Sequence, residues 1–166
     1  MVDNPPTQDA VEEFLRFTER DPNEVLGVIL LDSRAATIWS IAVNGVMAGC
    51  RPEDLPVLLA IADVLADPHY GVEHSGNTTG ADALIVLNGP VINDLGFNHG
   101  PGALRDGTPA NTTVARWLRL YLRNVAGFLP WQTDKATYGN TWRVALAENE
   151  PALARMGWEP QSVDFG

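Results

Sequence analysis

The stretch "ALIVLNGP", residues 83–90, is an unbroken apolar run of strand length that ends in turn residues. A strand with no polar alternation is built to be covered on both faces. "EVLGVILL", residues 24–31, has the same character. Two such runs call for helices to cover them, and the rest of the chain supplies helical patterns. "NPPTQDAVEEFLRFTERDP" carries Val11, Phe14, Leu15 and Thr18 at helical spacing, with Thr7 as N-cap and Asp21-Pro22 as the stop. "TIWSIAVNGVMAG" keeps a helical period through Ile38, Ile41, Ala42, Gly45 and Val46, and Gly49 suits its end. A further helix is expected from near Pro52 through "EDLPVLLAIADVLAD".

"YGVEHSGNTT" reads as an irregular strand or loop, and the glycine-rich "GFNHGPGALRDGTPA" as a long loop. Asn111 or Thr112 then caps the amphipathic "TTVARWLRLYLRNVAG", which Gly127 closes. "TWRVALAENE" reads as a last strand ending in acids, and from about residue 151 a short helix and an extended tail follow. The mixture predicts an α/β or α+β fold, a single layered domain over 1–166 with about four strands and four helices.

A formal net charge of −10 argues against a nucleic-acid partner, which needs a basic face. No apolar run reaches the roughly 20 residues that span a bilayer, and the amino terminus lacks the basic and apolar regions of a signal peptide. A soluble, cytoplasmic protein is expected. One cysteine, Cys50, excludes an internal disulfide.

Cys50 falls in "MAGCRPED", between two helical patterns and near the start of the second. A helix dipole and Arg51 would favour its thiolate, and Glu53 would serve as a base or oppose that shift. Lone cysteines are also commonly buried and inert. Asn88 ends the best strand, where ligands gather in open α/β sheets, and Asn98 and His99 follow in the loop. Asn-Gly-Pro is equally ordinary turn chemistry. Glu148 and Glu150, two apart, would share one face of a continuing strand and could form an acid/base pair. Lys135, the only lysine, is an anion contact, a Schiff-base amine or, more ordinarily, a surface residue. His74, His99, Glu148 and Glu150 with Cys50 match no familiar metal spacing. The glycine-rich loop matches no nucleotide motif.

"AVNGVMAGCRPEDLPVLLAI", "LIVLNGP", "LGFN", "NTTVARWLRLYLRNV", "DKATYG" and "ALAENE" occur in this order over about Pro6 to Glu150. Together they resemble a bacterial family whose members are encoded with, or fused to, thioredoxin-annotated or selenocysteine-containing proteins bearing a UGSC or CGSC motif. The matching positions are Cys50, Arg51, Pro52, Glu53, Asn88, Gly89, Pro90, Asn98, Asn111, Arg119, Asp134, Lys135, Gly139, Glu148, Asn149 and Glu150. Two departures stand out. Thr78-Thr79-Gly80 replaces an expected Thr-Thr-His, and the chain has no CGSC motif.

The resemblance implies a hetero-oligomer with a larger subunit that carries the missing motif. The expected function is the small subunit of a two-component enzyme of redox or lyase/hydrolase type. It would act on a small molecule, an anionic one included. Cys50, Glu53, Glu148 and Glu150 would be catalytic, with Arg51, Asn88, Asn98, Asn111 and Lys135 binding substrate. A metal-dependent enzyme using Cys50 with His or Glu ligands, and a non-catalytic scaffold or regulatory subunit, are the alternatives. No cofactor is indicated.

Overall fold

The computed structural model describes residues 4–29, 34–70, 83–129, 132–133 and 144–161. The first helix, α1 (Gln8–Leu15), starts where expected, because Thr7 Oγ1 accepts the Ala10 N–H at 3.4 Å. It ends before Thr18, and buries Val11 and Phe14. The apolar run that follows forms β1 (Val25–Ile29), which is only partly covered: Val25 is 49% exposed. Its partner is β2 (Arg34–Thr37), in an antiparallel pair with a bulge between Val25 and Gly27. Gly27 brings β1 close to a helix, since a Cβ there would stand 3.0 Å from Ala66 Cβ.

Thr37 ends β2 and caps α2 (Ile38–Ala48) through a reciprocal pair with Ser40. Gly49, at φ 80°, closes α2 in the left-handed conformation predicted for it. The next helix begins later than the proline suggested. Pro52–Asp54 form a 3-10 turn, and α3 runs from Leu55 to Ala66.

The strand in "ALIVLNGP" pairs over two residues only, β3 (Val86–Leu87). A single helical turn, α4 (Val91–Asp94), follows before the glycine-rich segment. Thr108 and Pro109, rather than Asn111 or Thr112, start α5 (Pro109–Asn124). Asn111 therefore lies inside the helix and is fully buried. β4 (Leu146–Ala147) runs parallel to β3 in the register Val86↔Leu146 and Leu87↔Ala147. α6 (Glu150–Met156) starts at once, capped by the Asn149 side chain, so the proposed strand does not continue through Glu150.

The fold is mixed α/β, as expected, but richer in helix. Six α-helices surround two small two-stranded sheets among the described residues. The helices α1, α3 and α5 pack on α2, and one cluster of buried side chains joins them to the β3–β4 end. At its centre Trp117 stacks on Tyr121, with ring centroids 5.0 Å apart, and donates Nε1–H to the Ile41 carbonyl at 3.1 Å. Among the described residues no helix is long and apolar enough to cross a membrane.

Gly45 marks the tightest contact of α2. A Cβ there would lie 2.7 Å from Phe14 Cε1 and 3.1 Å from Leu58 Cδ1. Gly45→Ala gains up to about 1 kcal/mol of helix propensity, against about 1–3 kcal/mol of overpacking where neither neighbour can yield. The variant is expected to be less stable than the wild type in urea unfolding, the reverse of the usual Gly→Ala result in a helix.

Candidate functional site

The cleft that gathers the predicted strand-end residues lies where β3 and β4 finish. It encloses about 360 Å³ and is lined by Gly89, Ile92, Asn93, His99, Glu148, Glu150, Pro151 and Ala154. That volume suits a small molecule. The register places its acids. Leu146 N–H donates to the Ile85 carbonyl and Glu148 N–H to the Leu87 carbonyl, each at 2.9 Å, so Glu148 emerges one residue past the pairing. Gly89, at φ 82°, turns the chain after β3, and its N–H donates to Glu150 Oε1. Asn88 Nδ2 reaches Glu148 Oε2 at 3.4 Å. Both carboxylates thus converge as expected, but by a strand end and a helix start rather than by two positions on one strand.

His99 completes the set. In the sequence it stands in the loop after the best strand and in a set of possible ligands with no familiar metal spacing. Its Nδ1 is buried and makes no hydrogen bond among the described residues. A ring nitrogen of this kind can accept or donate a proton, depending on its tautomer. Among the described residues the lining holds two carboxylates and no lysine or arginine. Asn93, also in the lining, was not foreseen; as the third residue of α4 its only signal was the short apolar pair before it.

Cys50 lies elsewhere. It is 8% exposed, belongs to the central apolar cluster and does not line the cleft. Burial pushes its thiol up to about 12. A hydrogen bond from Thr113 and the charges of Arg116 and Arg51 act the other way, but desolvation is larger. The helix dipole expected to activate it is displaced, because the 3-10 turn separates Cys50 from α3.

Arg51 is committed locally. Its backbone N–H donates to Asp54 Oδ2 at 2.8 Å, and its Nη2 lies 3.1 Å from Asp54 Oδ1 and 2.6 Å from the Leu95 carbonyl. Glu53 faces the same guanidinium at 3.5 Å. Asp54, fully buried, is the residue that the sequence reading overlooked; an acid immediately before Leu55-Pro56 is its one signal, as a helix start.

Asn111 and Asn98 serve the backbone. Asn111 Oδ1 accepts the Asn98 N–H at 2.8 Å, while Asn111 Nδ2 donates to the Asn98 and Ala145 carbonyls at 3.1 and 2.9 Å. Asn98 Oδ1 accepts the Gly100 N–H at 2.9 Å and its Nδ2 donates to the Pro101 carbonyl at 3.2 Å. Neither amide faces a ligand. Lys135, His74, Gly80, Asp134 and Gly139 lie outside the described residues. Among the described residues no three His, Cys, Asp or Glu side chains are grouped to hold a metal. A larger cavity of about 490 Å³ between α3 and β3 is lined by apolar residues such as Val57, Ile61 and Val86, with Tyr70 the one titratable group among the described residues.

Three measurements follow from these assignments. The unfolded thiol ionises near its ordinary 9.0 and the folded one only near 12, so Cys50 contributes stability below pH 9 that is lost as pH rises toward 12. Cys50→Ala should flatten that part of the stability-versus-pH curve in chemical unfolding. At pH 8 its alkylation by iodoacetamide should be slower than that of a free thiol by about 10³-fold, the ratio of thiolate populations. Asn111→Ala strips partners from an N–H and two carbonyls and should cost roughly 2–4 kcal/mol in urea unfolding. Comparison with protein-family models, curated proteins and solved structures finds no match for this chain.

Proposed function

We propose that this chain is the small subunit of a two-component enzyme and that it contributes an acid–base site made of Glu148, Glu150 and His99. The chemistry is of lyase or hydrolase type, on a small neutral or cationic molecule. The observation that carries this reading is the convergence of two carboxylates and an unpaired imidazole nitrogen on one cleft of ligand size. Among the described residues the lining carries two acids and no arginine or lysine, which favours a neutral or cationic substrate there. Thiol chemistry is assigned to the larger partner, in keeping with the CGSC motif that the resemblance implies. Cys50, buried and held protonated, is a packing residue of this subunit.

The test is on the complex purified from the native host. A co-purifying chain with a UGSC or CGSC motif is expected. In that complex Glu148→Gln and Glu150→Gln should each lower turnover by about 10²–10⁴-fold, the usual contribution of a positioned acid or base. Cys50→Ser should leave turnover near the wild-type value. Loss of turnover in Cys50→Ser, with both glutamine variants active, would return the chemistry to the thiol. Full activity of the larger partner alone would make this chain a scaffold.

A further inference from the structure

We propose that residues 157–161 form a strap that fastens on Glu148 and controls access to its carboxylate; this rests on the reading of the cleft as the site. The Gln161 backbone N–H spans both oxygens of Glu148, at 2.9 and 3.0 Å. The strap hangs from Gly157, which ends α6 at φ 70° with nothing within 4 Å of where a Cβ would stand. α6 itself buries no residue fully, and Met156 and Trp158 are 56% and 66% exposed. The Trp158 N–H bonds back to the Leu153 carbonyl at 3.0 Å, inside the same hairpin of chain. Past that bond the Gln161 N–H on Glu148 is what fastens the strap to the body of the fold among the described residues. A segment with little buried surface and a glycine pivot opens at low free-energy cost. Gln161 does not line the cleft, so the closed strap holds the carboxylate at the rim without filling the cavity. When it opens, both oxygens lose the Gln161 N–H; Oε1 becomes available to a ligand, while Oε2 keeps the Asn88 Nδ2 contact at 3.4 Å. Glu150, held by the Gly89 N–H, stays in place in either state.

Gln161→Pro removes the donor and also restricts the backbone at 160–161. A chain ending at Pro160 removes the donor without that restriction. Each, beside the wild type, would be labelled with a water-soluble carbodiimide and glycinamide, and modification at each acid followed by peptide mass spectrometry, with exposed Glu13 as the internal reference. Labelling of Glu148 should rise about tenfold in both variants, the ratio expected when a hydrogen bond to a charged group is lost. Labelling of Glu150 relative to Glu13 should not change. Equal labelling of Glu148 in the wild type and both variants would overturn the strap. That outcome is separate from failure of the acid–base reading, which shows as full turnover in Glu148→Gln.

Discussion

The amide of Asn111 holds the β3–β4 end of the molecule together. From inside α5 it closes three backbone groups on two other segments, the Asn98 N–H and the Asn98 and Ala145 carbonyls. The Asn111 carbonyl adds a fourth, accepting the Ala145 N–H at 2.8 Å. Buried backbone groups left unpaired are costly, so these bonds fix where residue 145 must lie. Residue 145 sets β4, β4 sets its register on β3, and that register presents Glu148 at the rim of the cleft. The same amide fixes the chain at Asn98, one residue before His99. Two of the three titratable groups of the site are thus positioned by one side chain that touches neither.

The stretch around Cys50 shows how burial overrides a charge argument. Arg51 and Arg116 both favour a thiolate, and the sequence places one of them next to the sulfur. Yet a thiol packed into the apolar cluster loses more from desolvation than it gains from arginines held by other partners. Arg51 answers the buried Asp54, where its charge-assisted bonds satisfy a carboxylate that could not otherwise be kept inside. The cation is spent on the fold rather than on the thiol.

What the sequence made legible was local. Thr7 and Gly49 cap the helices expected of them because a cap is decided by a few neighbouring backbone groups. The buried apolar runs did mark β1 and β3, and the layered α/β class followed. β2 was not legible: "RAAT" has no apolar run, and it becomes a strand only because β1 pairs with it. Asn111 was placed one turn too early in its helix, since Thr108-Pro109 is as good a start and only tertiary contacts choose between them. Asn88, Glu148 and Glu150 were found for the right region, because strand ends are recognisable. Their geometry was not, since Asn149 caps a helix where strand alternation was expected. A lone polar residue such as His99 carries its meaning in the distant segments it meets at the cleft, and spacing says nothing of those.

The break between β4 and α6 separates the pair of acids. On one strand face the two carboxylates would sit side by side with only each other as neighbours, and like charge would work against both. The turn at Asn149 divides them between a strand end and a helix start, and each meets a different backbone donor: Glu148 the Gln161 N–H and Glu150 the Gly89 N–H. An N–H aimed at a carboxylate oxygen lowers the cost of keeping that charge in a half-buried place. The donor for Glu150 belongs to the turn that ends β3, part of the folded body, whereas the donor for Glu148 belongs to a segment beyond a glycine pivot. Two acids of the same type, two residues apart, are therefore held with unequal firmness, and the less firmly held one is continuous with the strand whose register Asn111 sets.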